Sequence, residues 1–332
     1  MTRQTAPIGF ALVGYGRIGQ RHAAIIRKHP EARLCAVADT SDAQPGAPFF
    51  HSLEEMLASP EASAIDIVSI ATPNGLHAAQ ACICLEAGKH VLVEKPVALH
   101  SADMERMLAL ARRRDRVIFP VLQNRLAPGA VWLKELVASG RLGSPFLVKV
   151  DCFWNRDKGY YPAGGWHGTE KLDGGVLFTQ FSHFVDLLYW LFGDITDVHS
   201  QFLQGRHWSE EGFADTGSVQ FRFGADAGGR GAIGSLHFST AVWDRNMDSS
   251  ITIVGEHGSV KVRGQYLDSL DYYHVRGEAD PRFPQGVWSP EEGHRRMIDS
   301  VVDSLLGRRN TTVAAEDAAR VIAMIESMYE HK

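Results

Sequence analysis

The segment Phe10-Ala-Leu-Val13-Gly14-Tyr-Gly16-Arg-Ile-Gly19 constrains this chain more than any other. An apolar run of strand character ends on a glycine, and a helix-forming stretch follows at once, from about Arg17 to Lys28. Three glycines at this spacing have separate physical duties: a tight turn, close approach of backbone to a pyrophosphate, and close packing of helix on strand. The unpaired amides and positive end of the helix then face the phosphates. A lone Gly-rich turn says little, but here the strand before it and the helix after it supply the context the motif needs. Gly14, Tyr15, Gly16, Arg17, Ile18 and Gly19 are therefore expected to cradle a dinucleotide.

The next hundred residues repeat the same alternation. Strands are expected at Leu34–Ala38, Ile65–Ile70, His90–Val93 and Val117–Val121, with helices at about His77–Ala87 and Ser101–Arg113 between them. Ser52-Leu-Glu-Glu55 supplies a capping box for a short helix. Apolar strands alternating with helices imply a doubly wound parallel sheet covered on both faces. Asp39 stands about 20 residues beyond Gly19, at the end of the second strand, where a carboxylate accepts from ribose hydroxyls. Its charge repels a 2′-phosphate, and Thr40, Ser41 and Asp42 bring no compensating cation, so NAD rather than NADP is expected. An ordinary turn aspartate is the alternative. Thr72-Pro73-Asn74 and Glu94-Lys95-Pro96 follow the third and fourth strands at the edge where ligands bind in such sheets. Asn74 would face the nicotinamide ribose. A strand-end lysine reaching solvent is the common alternative for Lys95.

After about residue 125 and one more helix, Ala130–Ser139, the grammar changes. Phe146–Trp154, Val198–Leu203, Ser218–Phe223, Ala232–Ser239, Ile251–Val254 and Val260–Val262 read as strands in close succession, with Gly255-Glu-His-Gly258 as a hairpin turn. Only Val176–Leu191 looks strongly helical among them, and late helices start at Ser289-Pro-Glu-Glu292 and about Ala314. The expected division is residues 1–125, a dinucleotide-binding α/β domain, and 126–332, an α+β domain with a large, mostly antiparallel open sheet. That sheet's bare face needs covering, which makes a homodimer or homotetramer the expectation.

With 45% hydrophobic residues the chain is no disordered polymer, and 34 Lys and Arg against 39 Asp and Glu leave no basic stripe for nucleic acid. No apolar run reaches the roughly 18 residues of a membrane span. The N-terminus shows no basic-then-apolar signal segment. Four cysteines without metal-ligand spacing point to reduced thiols in a cytoplasmic protein with no metal site.

Gly14-x-Gly16-x-x-Gly19, Ala71-Thr-Pro-Asn74-x-x-His77, Glu94-Lys95-Pro96 and the segment from Gly175 to Asp186 together resemble the Gfo/Idh/MocA oxidoreductases, in order and over essentially the whole chain. The resemblance implies a Rossmann domain and an enzyme that oxidises a ring or sugar hydroxyl, or reduces the carbonyl, with NAD(P). Its lysine corresponds to Lys95 and its helix histidine to His183, which the residues alone leave open as a packed core histidine. On the cofactor side it implies Thr72, Pro73, Asn74, His77, Glu94, Lys95 and Gln123.

Within the family, Gln123-Asn124-Arg125, Cys152-Phe-Trp-Asn-Arg156, Tyr160-Tyr161, Trp166-His-Gly-Thr169 and Gln180-x-Ser-His183 are similar to the UDP-N-acetylglucosaminuronate 3-dehydrogenases of bacterial surface-polysaccharide synthesis. Substrate contacts are then expected at Asn124, Arg125, Arg156, Tyr160, Tyr161, Trp166, His167, Thr169, Thr179, Gln180 and His183. Thr179, Phe181 and His167 depart from the pattern, standing where Asp or Asn, Gly and Arg are usual. Oxidising an alcohol needs a hydride acceptor, a base and a partner for the developing alkoxide. NAD supplies the first, and Lys95 and His183 are the groups for the other two. Asp186, three residues beyond His183, would orient the imidazole or serve helix packing. A free sugar or inositol is the alternative substrate, and a non-catalytic dinucleotide-binding regulator the alternative from another class.

Overall fold

The computed structural model describes residues 6–206, 212–224, 231–286 and 288–330. These divide into two compact units, the first made of Met1–Gln123 with Pro290–Ala319, the second of Asn124–Ser289 with Arg320–Lys332. The expected break near residue 125 thus falls between Gln123 and Asn124. The segment 290–319, expected in the second domain, groups with the first.

In the first unit the chain runs β1 (Ile8–Val13), α1 (Arg17–Lys28), β2 (Ala32–Ala38), β3 (Phe49–Phe50), α2 (Leu53–Ala58), β4 (Ile67–Ile70), α3 (His77–Glu86), β5 (His90–Val93), α4 (Ser101–Arg114) and β6 (Ile118–Pro120). All strand pairs are parallel, in the order β3-β2-β1-β4-β5-β6. The order reverses between β1 and β4, so the loops after β1, β4 and β5 share one carboxyl edge. Phe10, Leu12, Ile67, Ile70, Val91, Val93 and Phe119 are all essentially inaccessible, as burial on both faces requires. Local chemistry sets the helix ends. Ser52 accepts the Glu55 amide at 3.1 Å to start α2, while Glu55 reaches back to the amide of His51, one residue earlier than a capping box has it. Arg27 and Lys28 meet the negative end of α1.

The second unit holds α5 (Pro128–Ala138), β7 (Pro145–Phe153), α6 (Val176–Thr179), α7 (Ser182–Phe192), β8 (Ile195–Leu203), β9 (Thr216–Phe223), β10 (Ile233–Ser239), β11 (Asp248–Gly255), β12 (Gly258–Arg263) and β13 (Ser269–Val275). The strands form one sheet in the order β13-β12-β11-β7-β10-β9-β8, antiparallel except for β7 with β10. Alternation sorts its two faces. Val148, Val150, Phe221, Leu236, Ile251 and Ile253 are buried, and α7 with the residue before it covers that side, Phe192 lying on Phe223 and Phe181 on Phe238. The other face carries Leu147, Ile233 and Val254, cross-strand neighbours that are 38%, 50% and 37% exposed.

The last helices are α8 (Pro290–Leu305), with Pro290 at its first position, and α9 (Ala315–Glu330). Met297, Ile298, Val301 and Val302 of α8 are buried, and the helix packs against α1. This apolar face is why 290–319 belongs to the first unit. Among the described residues no helix is long and apolar enough to cross a membrane.

Candidate active site

The glycine turn has the geometry its spacing implies. Gly14 sits at φ +88°, and a Cβ there would come within 2.6 Å of the Ala71 carbonyl. A Cβ on Gly19 would meet the Gly14 carbonyl at 2.0 Å, whereas Gly16 faces open space within 4 Å. One glycine turns the chain, one packs helix on strand, and the middle one leaves room over the start of α1, which no side chain caps. Its first-turn amides remain available to an anion. Asp39, just past β2, accepts from the Tyr15 amide at 2.5 Å and the Ser41 amide at 2.8 Å. Its carboxylate is thereby fixed beside the glycine turn. Turn, bare helix start and fixed carboxylate fit a dinucleotide, which Gly14–Gly19 would hold by its pyrophosphate and Asp39 by its adenosine ribose.

The loops after β4 and β5 lie along the same edge and are bound to each other. His77 is 1% exposed, with Nδ1 2.7 Å from the Pro96 carbonyl and Nε2 2.8 Å from the Thr72 carbonyl. Burial lowers its pKa, with the two carbonyls opposing. Both ring nitrogens are spent on backbone, so His77 braces the Thr72 and Lys95-Pro96 loops instead of reaching a cofactor itself. Thr72 Oγ1 lies 2.6 Å from Gln80 Oε1, and Asn74 is buried at the start of the short turn Asn74–Leu76. Pro73 precedes that turn as its cap, and the Lys95–Pro96 peptide is cis. Lys95 is half-buried. Glu94 beside it is buried against His22 and His294. Gln123, buried, closes the unit.

The second unit gathers most of the expected substrate residues around the start of α7. Gly175, at φ +114°, opens α6, and a Cβ there would strike Tyr329, whose hydroxyl accepts from the Leu177 amide. Asp173, 1% exposed, accepts from the amides of Gly168 and Gly175 and from the Thr179 hydroxyl. Thr179 thus helps hold the loop that leads into the helix. The expected helix 176–191 is broken: the Phe181 amide reaches back to the Val176 carbonyl, a wide turn, before α7 restarts at Ser182. His183 follows in its first turn, 6% exposed.

Gln180, in the break, ties two substrate candidates together. Its Oε1 accepts from Arg156 Nε at 2.7 Å and its Nε2 donates to the Tyr160 hydroxyl at 2.5 Å. The Arg156 guanidinium lies 4.9 Å from the Trp154 ring and 5.4 Å from Tyr160. Tyr160 stacks on His167 at 4.1 Å, and His167 packs against Trp166. Thr169 donates to the Trp166 carbonyl, and Tyr161 lies edge-on to Tyr160. Trp154 itself belongs to the core, against Phe181 and Phe184.

Two of the expected substrate residues, Arg125 and Asn124, are engaged within the chain. Arg125 grips Asp186 with Nε and Nη2, at 2.7 to 3.1 Å and 6% and 0% exposure. Asp186 therefore locks α7 to the Arg125 segment, and Arg125 serves that lock. Asn124 donates to the Gln265 carbonyl. The partners that sequence reasoning missed are His22, Ser69 and His294; nothing in their local patterns marks them.

Residues 8–121 match the model of the GFO/IDH/MocA oxidoreductase family with its NAD-binding Rossmann fold, and 131–261 that of the family's C-terminal domain. The WlbA dehydrogenase of Bordetella pertussis, solved with NADH and UDP-GlcNAcA, is 32% identical, with 98% of this chain and 96% of that one covered and a TM-score of 0.87. An uncharacterised oxidoreductase of Synechocystis is 34% identical over 191 residues, 55% of this chain and about half (51%) of that relative's length. The myo-inositol 2-dehydrogenase of Thermotoga maritima is 26% identical over 75% of this chain and 73% of its own. Both domain models and a full-length 32% identity place the protein in the Gfo/Idh/MocA family of NAD-dependent oxidoreductases.

Proposed function

We infer that this enzyme oxidises, with NAD, the C3 hydroxyl of a UDP-linked N-acetylhexosaminuronate. The observation that carries the reading is the 32% identity, over nearly the whole of both chains, to a dehydrogenase solved with UDP-GlcNAcA. The Arg156, Tyr160, His167 and Trp166 cluster supports it, because a cation among aromatic faces suits a carboxylate or diphosphate beside a planar base.

NAD, when bound, accepts the hydride. The chain's own residues do the rest. Lys95 and His183 handle the proton of the reacting hydroxyl and steady the oxygen as charge develops on it. Arg125 and Asp186 fix the helix that bears His183, and the His77 brace fixes the loop that bears Lys95. Asp39 selects NAD over NADP by charge. The same reading makes the protein a cytoplasmic homodimer or homotetramer: its four cysteines are free thiols, and Leu147, Ile233 and Val254 leave an apolar row on the open sheet face.

The test is NAD reduction, followed in the near ultraviolet, with UDP-N-acetylglucosaminuronate, UDP-N-acetylglucosamine and myo-inositol. Turnover of the uronate alone, or far above the other two, is expected. Reduction by inositol without turnover of the nucleotide sugar overturns the substrate and favours the reading suggested by the Thermotoga relative. Bound NAD with no turnover of any sugar favours a dinucleotide-binding regulator.

A further inference from the structure

Glu94 stands next to Lys95 in the sequence, yet its carboxylate is 7% exposed and held inside the first unit. Two imidazoles from distant parts of the chain converge on one of its oxygens. His22 Nε2, from α1, lies 3.1 Å from Oε1, and His294 Nε2, from α8, lies 3.2 Å from the same atom across a separation of 200 residues. The rings are 1% and 3% exposed, with centroids 5.2 Å apart. Each is anchored by its other nitrogen, His22 Nδ1 to Ser69 Oγ on β4 at 2.8 Å and His294 Nδ1 to the Pro290 carbonyl at 2.7 Å. The second carboxylate oxygen of Glu94 accepts from the Lys95 amide at 3.3 Å. One buried carboxylate therefore joins α1, α8 and, through His22, β4 to the peptide from which Lys95 projects.

A carbonyl only accepts, so His294 Nδ1 donates to Pro290. Nε2 of the same ring faces the Glu94 carboxylate oxygen. Burial alone would raise the Glu94 carboxyl, but contact with the two imidazoles holds it well below the usual carboxylate range. Burial lowers the pKa of His22, with Arg21 on the same helix adding to that effect. His77 on α3 also feels the Glu94 charge, and that of Lys95 in the opposite sense. The ionised carboxylate is thus the buried point on which both rings converge inside the unit.

We propose that His22 and His294 are positioning residues for Lys95, acting through Glu94. The proposal rests on the reading of Lys95 as a group that handles the substrate proton. The returning segment 290–319 thereby has a function at the reacting centre without touching it: its imidazole fixes the carboxylate, and the carboxylate fixes the Lys95 peptide.

The test uses the full-length protein with NAD bound, and compares wild type, His294→Ala and His294→Gln. Trace acylation of lysines by acetic anhydride, read by peptide mass spectrometry, reports on Lys95 without any substrate. Lys89, whose Nζ is held by the Ala62 and Ile65 carbonyls, is the internal control. His294→Ala is expected to change the Lys95 labelling rate severalfold and leave Lys89 unchanged. Turnover of the nucleotide sugar should fall about tenfold to a hundredfold, since small misplacements of a reacting group cost that much. The KM for NAD should hold, and His294→Gln, which retains a donor for Oε1, should recover most of the loss. Unchanged Lys95 labelling overturns the proposal. So does a parallel change at Lys89, which would mean general loosening, and so does a stoichiometric metal ion in the purified protein, which would take the place of the direct imidazole–carboxylate contacts. If wild type turns over no sugar, the substrate reading fails, while the labelling ratio still decides the positioning.

Discussion

Asp39 makes the sharpest single-residue prediction. Its carboxylate is already held by the Tyr15 and Ser41 amides, so discrimination against a 2′-phosphate requires no movement, only charge. Asp39→Ala should narrow the NAD-over-NADP preference in kcat/KM by at least tenfold, mainly through tighter NADP binding. An unchanged preference would remove Asp39 from the ribose site. At this scale the glycine turn and the strand-end placement of Asp39 and Lys95 were legible in the sequence, because each is read from position relative to a strand end. The contacts of His22, Ser69 and His294 were not legible, since a contact 200 residues apart leaves no trace in local spacing. Asp186 shows a subtler limit. Three residues from His183, it shares a helix face with it, but spacing gives that face and says nothing of Arg125, the buried partner the structure adds.

Among the elements, α7 depends most on one interaction. Arg125 and Asp186 are a paired, almost fully buried ion pair, and removing one member strands the other's charge. Arg125→Ala should cost about 3–5 kcal/mol in denaturant unfolding. The double change Arg125→Met with Asp186→Leu should recover much of that, because well-packed apolar residues replace a buried pair with little loss. A single-variant loss below about 1 kcal/mol, the level of an exposed pair, would contradict the lock. The expected long helix 176–191 failed for a related reason. Apolar residues stand on both sides of Thr179 and Gln180, at Val176, Leu177, Phe178, Phe181 and Phe184, so periodicity sees one helix, while the wide turn back to Val176 and the Thr179 bonds to Asp173 divide it. Two strands escaped the sequence reading. β3 is two half-buried residues, and β13 (Ser-Leu-Asp-Tyr-Tyr-His-Val) is a polar edge strand without an apolar face to betray it.

For the whole molecule, the return of Pro290–Ala319 to the first unit has consequences for folding. The fragment 1–123 lacks α8 and leaves α1 without the apolar residues Met297, Ile298, Val301 and Val302 as a neighbour. Expressed alone it should be unstable or aggregate, whereas a cut placed by sequence grammar at residue 125 would have promised a self-sufficient domain. Circular dichroism melting of the fragment decides this, and a cooperative transition near that of the full chain would contradict it. Acid should act on the same unit. His22 and His77 fall below their ordinary value of 6.5 through burial, and Glu94 falls well below 4.5 despite burial because of its two imidazoles. Each group binds fewer protons folded than unfolded, so its stabilisation is present above the unfolded pKa and lost as pH falls. Thermal midpoints should drop first below about pH 6.5 and again below about 4.5. Midpoints that hold steady or rise on acidification would contradict these assignments.

The claim on which the catalytic account turns is that Lys95 takes part in proton handling while NAD binds elsewhere along the same edge. Rapid mixing of UDP-N-acetylglucosaminuronate with the NAD complex of wild type and of Lys95→Met measures it, with NAD affinity taken separately by calorimetry. Single-turnover formation of reduced nicotinamide should slow by about 10²–10⁴-fold, with the Kd for NAD within a few-fold of wild type. A Lys95→Met enzyme that reduces NAD at the wild-type rate would contradict it.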